Sequence, residues 1–129
     1  MSDADGIAAL AKRFFDAVEA GDIDTVYGSY APNARIWHNT DGLEQTREEN
    51  AATLKDFVRR IPTRVYADRR LKVFEGGFVH QHELRCVRAD GEAVSLTACI
   101  VCAVEDGHIT RLDEYFDSAQ VAAFRRPAA

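Results

Sequence analysis

Three turn signals, Glu75-Gly76-Gly77, Ala89-Asp90-Gly91-Glu92 and Glu105-Asp106-Gly107, punctuate the second half of the chain and constrain its fold more than any other feature. Between them lie segments of about ten to twelve residues rich in β-branched and aromatic side chains, the spacing of an antiparallel meander. The strands run roughly from Arg64 to Phe74, Phe78 to Arg88, Ala93 to Val104 and His108 to Phe116. A sheet of this kind buries one face, and the first half of the chain must supply the cover.

That first half reads as helices. Leu10, Ala11, Phe14 and Val18 follow the i, i+3, i+4 spacing of an amphipathic helix that ends near Ala20-Gly21. Asp22 can cap a short second helix carrying Ile23, Val26, Tyr27 and Tyr30, closed by Pro32-Asn33. Ala34 to Asn39 reads as a short strand. Thr46 and Glu49 form a capping box for a third helix, whose inner face is Leu54, Phe57, Val58 and Ile61 and whose stop is Pro62. Ser118 to Phe124 reads as a last helical turn. The expectation is one α+β domain over residues 1–129, with three helices ahead of most of the sheet.

Charge and composition remove several function classes. A net charge of -5 and scattered basic residues argue against nucleic-acid binding, which needs a clustered basic surface. No apolar run approaches the roughly 18 to 20 residues of a membrane-spanning helix, and the acidic Met1-Ser2-Asp3-Ala4-Asp5 is not a secretory signal, so a cytoplasmic location is expected. Cys86, Cys99 and Cys102 are an odd number of thiols. Cys99 and Cys102 lie three apart on a strand and point to opposite faces, so they read as core thiols and not as a zinc or redox pair.

The chemistry-bearing residues sit at strand positions. Alternation puts Ile36 and His38 on one face, Phe78, His80, His82, Leu84 and Cys86 on one face, and Thr110, Leu112, Glu114 and Phe116 on one face, while the opposite faces read wetter. A neutral histidine beside a carboxylate in a low-dielectric pocket is a competent general base near neutral pH. His38 and Glu114 are the candidates for this, with His82 assisting, and Tyr30 or Asn39 can donate to a developing oxyanion. His38 can equally be a satisfied strand-end histidine, and His80-x-His82 has a spacing that can bind a metal. Trp37 falls on the opposite parity and reads as packing, and Tyr66 and Phe74 read as wall.

The helix end Ala20-Gly21-Asp22, the run Tyr30-Ala31-Pro32-Asn33-Ala34-Arg35-Ile36, the third helix, the meander and the closing Ile109-Thr110-Arg111-Leu112-Asp113-Glu114-Tyr115-Phe116-Asp117 together resemble the nuclear transport factor 2-like superfamily, in its SnoaL-like branch. The resemblance spans about residues 5 to 124 and implies a cone, a curved antiparallel sheet wrapped around three N-terminal helices. It also implies a deep apolar pocket and a homodimer packed through the outer sheet face. Polyketide cyclases belong to this branch, near ketosteroid isomerase and limonene epoxide hydrolase.

Residue by residue, the resemblance puts His38 at or beside the ketosteroid isomerase base and Glu114 at the aspartate of SnoaL-like cyclases. Phe14 stands where the isomerase has its first-helix tyrosine, and Cys99 and Ile100 stand near its second acid, which argues against that enzyme's oxyanion hole. Val79 to Arg85 contains no Arg-x-Asp, which argues against the epoxide hydrolase triad.

The expected function is therefore cofactor-free proton transfer, of isomerase, cyclase or dehydratase type, on an apolar or polycyclic small molecule. His38, Glu114 and His82 are its catalytic candidates, and Tyr30, Asn39, His80, Phe14, Leu84 and Phe116 its substrate contacts. The competing readings are a non-catalytic binding or dimerisation module of the same fold and a metal-assisted hydrolase centred on His80 and His82.

Overall fold

The computed structural model describes residues 3–127. Helix α1 (Ala4–Ala20) is capped by the Asp3 carboxylate, which accepts from the Gly6 N–H, and ends at Gly21, whose φ of 76° lets its N–H turn back to Ala17 and Val18. Its stripe of Ile7, Leu10, Ala11, Phe14, Phe15 and Val18 is buried against the sheet, each larger side chain contributing about 1.5–3 kcal/mol. Helix α2 (Ile23–Ser29) follows its Asp22 cap but stops a residue before Tyr30, which opens strand β1 (Tyr30–His38). Pro32, expected to close α2, lies inside β1, where the pairing is irregular and its missing N–H costs nothing.

Strand β2 (Glu44–Gln45) is a short edge, and helix α3 (Arg47–Arg60) carries the expected capping box. Strands β3 (Thr63–Phe74), β4 (Gly77–Val87), β5 (Ala93–Glu105) and β6 (His108–Phe116) form the meander, and helix α4 (Ser118–Arg125) closes the chain. The β5–β6 turn is Asp106-Gly107 with both φ values positive, the type I′ geometry that matches strand twist. Glycine is required at Gly77, where a Cβ would lie 2.1 Å from the Cys102 carbonyl oxygen.

The sheet order is β2-β1-β6-β5-β4-β3. The meander is antiparallel as expected, but β1 runs parallel to β6, so the whole sheet is mixed. Parallel neighbours need a long connection, and here α3 and four strands, β2 to β5, provide it.

Irregularities bend the sheet and alter the expected faces. Between Ala103 and Val104 the register shifts against β6, making Thr110 the extra residue, so that Ile109 is buried in its place. A second bulge in β3 sets Asp68 and Arg69 opposite His82, with Asp68 at a φ of 54°. The core divides in two. One cluster lies under α1, and a second joins Ile61, Leu84, Cys86, Leu96, Val121 and Phe124 near α3 and α4. Leu54, Phe57 and Val58 of α3 are only half-buried, because the helix roofs a cavity between the two clusters.

Among the described residues no helix is long and apolar enough to cross a membrane.

Candidate functional site

The parallel pairing of β1 and β6 sets His38 directly opposite Glu114. Both face inward, and His38 Nε2 lies 3.0 Å from Glu114 Oε1. Asn39, the next residue, secures that register: its Oδ1 accepts from the Phe116 N–H at 2.9 Å, and its Nδ2 donates to the Phe116 carbonyl at 3.1 Å. Its backbone N–H donates to the Glu114 carbonyl. The expected role of Asn39 as a donor to substrate is thereby corrected, since both ends of its amide are engaged in holding the two strands.

The pair stands at the junction of two cavities. The outer one, of about 170 Å³, is lined by apolar side chains that include Leu54, Phe57, Leu84, Leu96, Phe116 and Phe124, with Asp41, Arg60 and Arg125 among its polar residues. The inner chamber, of about 50 Å³, lies among Phe14, Phe15, Tyr30, Ile36, Asn50 and Ile100. His38, Leu54, Tyr66 and Glu114 border both. Of the expected substrate contacts, Leu84 and Phe116 therefore line the outer cavity, while Phe14 and Tyr30 line the inner chamber.

The surroundings of His38 raise its affinity for a proton. Burial opposes the imidazolium, but the hydrogen bond and charge of Glu114, helped by Asp41 and partly offset by Arg125, raise its pKa above the ordinary histidine value. With Nε2–H donated to the carboxylate, Nδ1 is left without a hydrogen bond among the described residues.

Two tyrosines complete the constellation. The hydroxyls of Tyr30 and Tyr66 make no hydrogen bond among the described residues, and burial, followed for Tyr66 by the negative charge of Glu114, pushes both far above the usual phenol range. They stay protonated and available as donors. Tyr66 reads as wall in the sequence, and its place in both cavities depends on where α3 roofs the sheet. Asn50 of α3 also escapes the sequence reading. It is 4% exposed, its Nδ2 donates to Gln45 Oε1 at 3.2 Å, and its Oδ1 is buried without a partner among the described residues. One signal was present: Asn50 is the polar member of the stripe Asn50, Leu54, Phe57 and Ile61.

His80 and His82 lie elsewhere. His80 shares a lateral row with Ile100, Glu114 and His38 but is two strands from β6, about 10 Å, with Ile100 between. Its ring stacks on Phe15 at 3.7 Å, and its Nδ1 meets His82 Nδ1 at 3.0 Å. Neither histidine lines the cavities at His38, so the expected assistance from His82 and the substrate contact from His80 are not what this arrangement provides. Burial, followed by the nearby charge of Arg69, pulls His80 down to about 4, and burial, His80 and Arg69 pull His82 down to about 3. Among the described residues no group of three His, Cys, Asp or Glu side chains is placed to hold a metal ion, so the hydrolase reading lacks a ligand set.

On the outer face Trp37 packs edge-on against Tyr115 at 5.3 Å, as parity requires. Cys86, Cys99 and Cys102 are free, and burial pushes the Cys86 thiol up to about 11.

A curved six-stranded sheet wrapped around helices, with a histidine and an acid at the inner end of an apolar cavity, defines a nuclear transport factor 2-like α+β cone. Residues 11–112 match the SnoaL-like domain, and the chain belongs to that family. Solved structures share the fold across nearly the whole length. A candidate polyketide cyclase from Xanthomonas campestris pv. campestris is 18% identical, with 95% of this chain and 98% of that one covered at a TM-score of 0.85. An LEH-like epoxide hydrolase from M. tuberculosis is 18% identical over 94% of this chain and 96% of that one at a TM-score of 0.77. An NTF2-like protein of unknown function from Burkholderia pseudomallei is 18% identical over 92% and 95% at 0.81. At such identities the likeness establishes the fold alone. No curated protein matches this chain in sequence.

Proposed function

We propose that this protein catalyses cofactor-free proton transfer on a small apolar carbonyl compound, as an isomerase, cyclase or dehydratase. The observation that carries the reading is the 3.0 Å contact between His38 and Glu114 at the junction of an apolar outer cavity and a small inner chamber bordered by Tyr30, Tyr66 and Asn50. Neutral His38 takes a proton from the carbon beside the carbonyl through Nδ1, and Glu114, which holds Nε2–H, stabilises the imidazolium that forms. The electron pair moves to the carbonyl oxygen, where the Tyr30 and Tyr66 hydroxyls donate to the enolate. Return of the proton from His38 to a different carbon completes an isomerisation. Its transfer to a departing hydroxyl completes a dehydration.

The same proposal includes two copies paired through the outer sheet face, supported by the exposure there of Val65, Phe74 and Tyr115. Light scattering coupled to size-exclusion chromatography tests it, with the mass of two chains expected.

The catalytic reading is tested by incubating the protein in D₂O with cyclic and aryl ketones and following loss of the α-proton signal by NMR. Enzyme-dependent exchange is expected, falling by about 10²–10⁴ in His38→Ala. Ketones that bind in the cavity and show no exchange above background would support the non-catalytic binding module instead.

A further inference from the structure

The carboxamide of Asn50 has an unusual position for a polar group. It is buried in the first turns of α3, borders the 50 Å³ chamber, and leaves its oxygen with no donor among the described residues. Its orientation is set by a relay: Gln45 Nε2 donates to Thr53 Oγ1 at 2.9 Å, which leaves Gln45 Oε1 to accept from Asn50 Nδ2. The amide nitrogen is thus committed, and the oxygen is the part left for whatever fills the chamber. A buried acceptor in this state costs stability unless something donates to it.

The chamber's other polar groups have the opposite character. Tyr30 and Tyr66 offer hydroxyl hydrogens and want an acceptor. At 10–15 Å³ per water-sized occupant, the volume takes only about three to five small heavy atoms. A group that satisfies both sets must therefore carry an acceptor and a donor on neighbouring atoms. The apolar walls, Phe14, Phe15, Ile36 and Ile100, disfavour a charged ammonium as the donor. A carboxamide has the right hydrogen-bonding pattern, but its α-proton is much less acidic than a ketone's, which suits it poorly to the proton abstraction at His38.

We propose that Asn50 Oδ1 accepts the hydroxyl hydrogen of the substrate, and that the substrate is an apolar molecule ending in an α-hydroxy ketone or the corresponding enediol. The ketone oxygen lies towards Tyr30 and Tyr66, the hydroxyl towards Asn50, and the apolar body in the outer cavity. This assignment rests on the proton-transfer reading of the same site and adds the chemistry of the substrate's buried end. Asn50 is then a specificity residue, since an analogue without the hydroxyl leaves its oxygen unpaired.

The test measures binding, so that its outcome is separate from turnover. Affinities of 2-hydroxyacetophenone, acetophenone, 2-methoxyacetophenone and benzamide are measured calorimetrically on wild type, His38→Ala and Asn50→Leu, with folding checked by circular dichroism. The hydroxy ketone is expected to bind wild type at least about tenfold tighter than each of the other three. His38→Ala is expected to keep that preference, and Asn50→Leu to reduce it to about twofold or less. A wild-type preference below about twofold overturns the assignment and makes Asn50 a water-bound structural amide. Tighter binding of benzamide overturns it too, as does a preference that survives in folded Asn50→Leu. If Asn50→Leu does not fold, Asn50→Ser takes its place, and the wild-type ratio still decides. Absence of deuterium exchange in wild type with the preference intact would sink the proton-transfer reading and leave the binding assignment standing.

Discussion

Two histidine pairs occupy the inner face of one sheet and have opposite chemistry. His38 contacts a carboxylate across the parallel β1–β6 seam, which raises its affinity for a proton. His80 contacts a second histidine, sits between Phe15 and the sheet near Arg69, and is held neutral. Burial disfavours charge in both places, so burial does not separate them. The surroundings do: one carboxylate reverses the sign of the shift at His38, whereas Arg69 reinforces it at His80, and His80 and Arg69 reinforce it at His82. Only the first pair adjoins the outer cavity and the inner chamber; His82 borders a separate, more open cleft beside Asp68 and Arg69. Function is therefore assigned to the histidine whose partner can stabilise a proton in transit.

The comparison breaks most decisively through rates. Glu114→Gln keeps the shape but removes the charge, and is expected to lower the deuterium-exchange rate of a bound ketone by about 10²–10⁴, whereas His82→Gln leaves it within about threefold in folded protein. Loss of activity in His82→Gln with Glu114→Gln unaffected would reverse the assignment of the two pairs. Tyr66→Phe is expected to cost about 10²–10³ in the same rate while barely moving Tm, because the hydroxyl it removes has no partner to lose.

Acid separates the pairs by stability. His80 and His82 have folded pKa values below the unfolded 6.5, so their contribution is fully present above pH 6.5 and is lost as pH falls towards about 4. His38 is raised, so its contribution is present below pH 6.5 and is lost as pH rises through its folded pKa, while activity climbs over that same upper window. Thermal melts from pH 7 to 4.5 are expected to show a falling Tm, with a decline smaller by about 5 °C or more in a His80→Phe, His82→Leu double variant. An unchanged decline would show that the buried pair does not set acid sensitivity.

A local effect is expected at the seam itself. Asn39→Ala removes two hydrogen bonds to Phe116 and is expected to cost about 2 kcal/mol in denaturant unfolding, with part of the exchange rate lost as His38 and Glu114 slip in register.

Much of the fold was legible because its signals are local. Gly-containing turns delimited β3 to β6, the Thr46 and Glu49 box started α3, and strand parity turned His38 and Glu114 inward. What escaped depends on pairing and placement. The extra residue at Thr110 inverts parity in one strand, and the β3 bulge brings Arg69 towards the histidines, neither of which alternation can announce. Tyr30 shows an apolar helical spacing yet joins β1, because strand pairing overrides a short helix. Asn39 looks like a free donor until its partner strand is known. Tyr66 and Asn50 enter the site only because α3 stands off the sheet and leaves a cavity instead of a filled core.

The central claim, that Glu114 holds His38 as the proton acceptor of the pocket, is tested most directly by NMR titration of the histidine ring protons in wild type and Glu114→Gln. The account predicts that His38 titrates above 6.5 and drops to or below that value in Glu114→Gln, while His80 and His82 stay neutral down to the pH at which the fold is lost. A His38 titrating at or below 6.5 in wild type, or unmoved by Glu114→Gln, would contradict it.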